Sequence, residues 1–167
     1  QMGMALANNE ERFLDFKINV KDLKVLYVDT ECGGETFNWR YQELQKSFSK
    51  WNGDTRFSFL SDLEDKVNIY DDVERAIKYF KPDVVFIDCL YNTLNGEDIS
   101  RNEKIAPICE KVRHLKDKYK TTIVVLCHMN KGQHESGLNK DRLTGAGHLI
   151  NWAEHIILAT RTNEDSK

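Results

Sequence analysis

A chain of 167 residues fits a single domain over 1–167 and can bury roughly two-thirds of the surface its unfolded form exposes. Hydrophobic residues at 40% and charged residues at 31% are ordinary for a globular protein, and a net charge of -3 exerts no general pull on nucleic acid or anionic membrane. No apolar stretch approaches the ~20 residues of a membrane span, no signal-peptide pattern occurs, and the expected location is cytoplasmic with no membrane partner. Cys32, Cys89, Cys109 and Cys127 lack CxxC spacing and read as reduced core thiols.

The opening QMGMALANNEERF starts with glutamine, and Met2, Met4, Ala5, Leu6 and Ala7 read as the tail of a helix. A fragment, cut at its N-terminus, is therefore expected. Residues 24–31 (KVLYVDTE) form a near-continuous apolar run, the pattern of a strand buried on both faces of a parallel sheet. Within it, Asp29 is expected to be a turn residue on the strand's other face. Residues 35–50 carry Phe37, Tyr41, Leu44 and Phe48 along one helical face, with Arg40 on the polar side as a surface residue. Residues 56–60 form a short strand. Asp71 and Asp72 are candidate N-caps for a helix using Val73, Ala76, Ile77 and Phe80, which Pro82 stops.

A second buried strand follows at 84–88 (VVFID). The next helix is amphipathic through Ile105, Ile108, Val112, Leu115 and Tyr119. Two starts fit it: a capping box of Ser100 and Glu103, or Pro107 in the first turn. Residues 122–131 (TIVVLCHMNK) give a third strand, 132–142 a polar loop, 147–152 a short helix and 155–160 (HIILAT) a last strand. This alternation is the signature of βαβ units and predicts an α/β fold with a mainly parallel sheet.

In open α/β sheets, ligands bind at the carboxyl ends of the strands. Glu31, Asp88 and His128 are expected to converge there. An aspartate ending a buried strand suits Mg²⁺ held through a water, because magnesium keeps several waters and wants hard oxygen ligands. His114, His134, His148 and His155 lack metal-ligand spacing relative to the cysteines, so no zinc is expected.

Taken together, these motifs resemble the RecA-like P-loop ATPases, particularly the hexameric replicative helicases and their plasmid and phage relatives. The resemblance runs from the first residue to about Thr162. It implies a three-layer fold, ATP and Mg²⁺ as cofactors, and a DNA-directed ATPase or helicase function in DNA replication. By the same resemblance Glu31 polarises the attacking water, Asp88 holds the magnesium, and His128 senses the γ-phosphate, with Asn130 and Lys131 beyond it. The 132–147 loop would contact single-stranded DNA, with Lys131, Lys140 and Arg142 as its cations. Arg161 would reach a neighbouring subunit's nucleotide, implying a homo-oligomer such as a hexamer. Lys131, Lys140 and Arg142 face Glu135 and Asp141, a balance of only +1. Such a loop grips DNA only when a ring repeats it, since affinity scales with the phosphates neutralised.

One part departs from the family pattern. GxxxxGK[ST], whose amides and lysine hold phosphates, does not occur. The fold is therefore expected to lack the phosphate-loop strand, and the chain alone to hydrolyse ATP negligibly. In the family that strand lies between the His128-type strand and the final one. Its absence leaves two central edges, each a liability unless re-paired. The last strand then closes onto 122–127, or another chain fills the gap.

Two rival readings stand beside this one. VDTECGG resembles the DxE motif of two-metal DEDD exonucleases, with Asp29, Glu31, Asp88 and Asp141 as the acids. Those enzymes follow their first strand with antiparallel hairpins, whereas an amphipathic helix is expected here. The other is a non-catalytic RecA-like module for assembly or DNA contact.

Overall fold

The β-branched runs form the middle of a four-stranded parallel sheet. The computed structural model describes residues 1–61, 69–94, 102–128 and 146–159. Helix α1 (Met2–Ala7) leads into a small antiparallel hairpin, β1 (Arg12–Phe13) and β2 (Phe16–Lys17). Then come β3 (Val25–Asp29), α2 (Gly34–Gln45), β4 (Phe57–Leu60), α3 (Ile69–Phe80) and β5 (Val84–Asp88). A 3-10 turn (Leu90–Leu94), α4 (Asn102–Tyr119), β6 (Thr122–Val125) and α5 (Ala146–Trp152) complete the order. The strands lie β4-β3-β5-β6. Every pairing is parallel, with Val25 beside both Phe57 and Val84, and Val84 beside Thr122.

Alternate residues of each strand point to opposite faces, and both faces are covered. On one side Val25, Phe57, Val84 and Phe86 pack against Met4 and Ala7 of α1 and against Tyr41 and Leu44 of α2. On the other, Leu26, Val28, Val85 and Ile87 pack against Ile69, Val73 and Ile77 of α3, Ile105 to Leu115 of α4, and Leu149 of α5. This is the three-layer α/β architecture expected of the sequence. A Cβ on Gly3 would lie 3.1 Å from Phe86 and 3.2 Å from Val25, so the missing side chain lets α1 sit close on the sheet. After β3 the chain enters α2 and returns in the parallel β4, not in an antiparallel hairpin, which counts against the exonuclease reading.

Several local expectations are corrected. Asp71 and Asp72 do not cap α3. The buried Ile69 and Tyr70 draw the first turn in ahead of them, leaving both acids within that turn, where the helix dipole favours them. Helix α4 starts at Asn102, so Pro107 lies inside it and not in its first turn. Ile105, fully buried, belongs to that helix's core face and fixes the earlier start. Ser100 lies outside the described residues. Helix α2 stops at Gln45, yet Phe48 beyond it still packs on the expected face.

The largest correction concerns the last strand. Residues 155–159 form none, and Ile156 and Ile157 are 44% and 70% exposed. An extended segment becomes a strand only by pairing, and these residues do not close onto β6. Among the described residues β6 pairs with β5 alone, so the gap beside it stays unfilled there. Strand β6 itself ends at Val125, short of the 122–131 run. No described helix is long and apolar enough to cross a membrane.

Candidate functional site

Parallel pairing brings three strand ends to one edge of the sheet. Asp29 and Asp88 are register partners at the ends of β3 and β5, on the face covered by α1 and α2. Asp29 is thus a turn residue, but on the face Asp88 shares and not the opposite one. Its carboxylate accepts the Cys32 backbone N–H at 3.2 Å. Burial pushes the Asp29 carboxyl up, while the N–H groups of Cys32 and Glu31 oppose that shift. Asp88 is fixed differently: the Tyr27 hydroxyl donates to its Oδ2. Burial, reinforced by that bond, pushes the Tyr27 hydroxyl well up, so it stays protonated and donating.

Thr30 joins the two turns. Its N–H donates to the Asp88 carbonyl at 2.8 Å, and its hydroxyl donates to the same oxygen at 2.9 Å. That hydroxyl also accepts the Cys89 N–H at 2.9 Å, across a cis Asp88–Cys89 peptide. Asn92 Nδ2 donates to the Thr30 carbonyl at 3.1 Å. The ends of β3 and β5 are therefore one bonded unit.

Glu31 stands just beyond that unit. Its Oε1 accepts from the Cys89 thiol at 3.0 Å and meets His128 Nε2 at 3.0 Å. The thiol, and then the imidazole, hold the Glu31 carboxyl below its usual range. His128 lies three residues past β6. It arrives because the Leu126 N–H donates to Ile87 at 2.9 Å while the Leu90 N–H donates to Leu126 at 3.0 Å, carrying the chain alongside β5. At Gly33 the backbone takes φ 73°, a left-handed turn that glycine tolerates, and swings the chain away into α2.

Arg40 is exposed, as expected, and still touches the site. Its guanidinium donates to Cys32 Sγ at 2.8 Å and lowers the Glu31 carboxyl further. The site thus contains a hard carboxylate at Asp88, suited to Mg²⁺, and an ionised carboxylate at Glu31 backed by an imidazole. Asp29, Glu31, Asp88 and His128 are all at this edge. Lys131, Lys140, Arg142, Arg161, Asn130 and Asp141 lie outside the described residues.

Tyr27, Thr30, Arg40 and Cys89 were not foreseen as site residues. Two carried a signal: Tyr27 interrupts an aliphatic run two positions before Asp29, on its face, and Cys89 directly follows the strand-end acid. Thr30 and Arg40 carried none, because their roles depend on a neighbouring strand and on the bend at Gly33.

A family model described as AAA domain matches residues 1–134. No curated protein matches the chain. Among solved structures, the KaiC-like protein of the hyperthermophilic archaeon Pyrococcus horikoshii OT3 is similar at 12% identity and a TM-score of 0.46. That match covers 62% of this chain and 46% of the other, so this chain spans less than half the length of that structure.

Proposed function

This chain belongs to the AAA domain family of RecA-like P-loop ATPases, and on that premise we propose that it is the hydrolytic part of a DNA-directed ATPase of helicase type. The observation that carries the proposal is the grouping of Glu31 with His128, beside the Tyr27-fixed Asp88, at the carboxyl end of a parallel sheet.

In this proposal Asp88 holds Mg²⁺ through a water, and the ion, when bound, offsets the charge of the triphosphate. Glu31, kept ionised by Cys89 and His128, accepts a hydrogen bond from the attacking water and orients it. His128 links that carboxylate to the γ-phosphate position. Arg161 reaches the nucleotide of an adjacent copy in a homo-oligomer such as a hexamer, and Lys131, Lys140 and Arg142 contact single-stranded DNA. The phosphate cradle comes from outside these residues, since no GxxxxGK[ST] stands among them. Positioning is most of phosphoryl-transfer catalysis, so the chain by itself turns over negligibly.

The test is magnesium-dependent ATP hydrolysis by a form of the protein that carries a phosphate cradle, with and without single-stranded DNA. Glu31→Gln should lower turnover about 10²–10⁴-fold, the usual range for losing a general base, with nucleotide binding retained. Arg161→Ala should abolish turnover and leave binding intact. Lys140→Ala with Arg142→Ala should remove only DNA stimulation. Full turnover by a monomer, or by the Glu31→Gln variant, would defeat the reading. Absence of nucleotide binding would leave the non-catalytic assembly role.

A further inference from the structure

Glu31, Cys89 and His128 present three different donor atoms at one spot. The carboxylate oxygen, the sulfur and the ring nitrogen all lie within 4.8 Å of one another. Each residue comes from a different strand end, and the backbone bonds of Thr30 and Leu126 hold those ends in place. We propose that these three residues bind a borderline-soft divalent cation, zinc, through carboxylate, thiolate and imidazole, with a fourth position open to water.

The donor set argues for that class of ion. Mg²⁺ demands oxygen ligands and leaves sulfur alone, whereas zinc takes sulfur, nitrogen and oxygen together in a tetrahedron. Zinc–ligand bonds of about 2.0–2.3 Å set neighbouring donors about 3.3–3.6 Å apart. Here Glu31 Oε1 is 3.0 Å from both Cys89 Sγ and His128 Nε2, and sulfur and ring nitrogen lie within 4.8 Å of each other, so around an ion of that size the carboxylate recedes by about half an ångström while the imidazole closes toward the sulfur by up to about 1 Å. It can do so, because the Glu31 and His128 side chains are 36% and 68% exposed, and the same exposure admits the ion. Cys89, by contrast, is 1% exposed and supplies a rigid base.

Binding replaces two hydrogen bonds by three coordination bonds. The Cys89 thiol proton leaves to solvent, and His128 coordinates through an unprotonated Nε2 with its remaining proton on Nδ1. Resting on the hydrolytic reading above, zinc would also withdraw Glu31 and His128 from the attacking water. The metal would then act as a reversible stop, distinct from the magnesium position at Asp88.

Cobalt(II) titration of the 167-residue chain without nucleotide tests the site directly. One equivalent should produce a thiolate-to-cobalt charge-transfer band, which Zn²⁺ removes and excess Mg²⁺ does not. Cys89→Ala should abolish the band, while Cys32→Ala should leave it. His128→Ala, at an exposed position where folding is not at stake, should weaken binding by about 10–100-fold, the scale on which even supporting residues affect metal affinity. No band, a band surviving Cys89→Ala, or unchanged affinity in His128→Ala would overturn the proposal. Since no nucleotide is present, cobalt binding without ATPase activity in the cradle-bearing form would defeat only the hydrolytic reading.

Discussion

Glu31 owes its acidity to a residue that the sequence presents as core filling. The Cys89 thiol donates to its carboxylate, which stabilises the ionised form and lowers its pKa. Replacing Cys89 by alanine should therefore raise the Glu31 carboxyl toward its ordinary value, as read by a carbon-13 carboxyl titration. A titration unchanged by Cys89→Ala would mean that His128 and Arg40 set it without the thiol. Stability follows the same sign. A depressed carboxylate contributes above its unfolded value and loses that contribution as pH falls through the folded one, so the variant should begin to lose it at a higher pH. The acids and the histidine were legible as strand-end residues. The sulfur was not, because its partner lies 58 positions away and pairing across strands leaves no periodic trace.

Helix α3 is tied to α4 by one carboxylate. Glu74 accepts from Lys118 at 2.8 Å and from the Tyr119 hydroxyl at 2.5 Å, which together hold its pKa at about 2 against an ordinary 4.5. The clamp should therefore act fully above about pH 4.5 and disappear as pH falls toward 2. Denaturation midpoints at low salt should show wild type and Glu74→Gln differing at neutral pH and converging in acid; a constant difference would contradict the clamp. At the other helical layer, Gly3→Ala would push a methyl against Phe86 and Val25, both buried and unable to yield. Overpacking of about 1–3 kcal/mol should exceed the roughly 1 kcal/mol that alanine gains in helix propensity, so unfolding should show net destabilisation. Elements with long apolar runs, such as β3, β5 and the α4 stripe, were legible in order and type. The β1–β2 hairpin was not, since two-residue strands have no period to read. HIILAT read as a strand because composition reports propensity, whereas a strand also needs a neighbour, and β6 does not provide one to 155–159.

Across the whole molecule, order grades from the centre of the sheet outward. Strands β3 and β5 are paired on both sides and almost wholly buried, whereas the residues of β6 are half-buried or exposed and pair only with β5 among the described residues. Hydrogen exchange should accordingly be slowest at 25–28 and 85–87 and faster at 122–125, where opening requires fewer contacts to break. Equal protection across the three strands would contradict this gradient. Asp88, Tyr27 and Thr30 belong to the centre, while His128 hangs from the margin. Mild warming should therefore detach the imidazole from Glu31 while the Tyr27–Asp88 pair persists, and the histidine ring resonances should shift below the temperature of global melting. The site would then behave as two thermal populations, a stiff acidic half and a histidine half that comes and goes with the breathing of one strand.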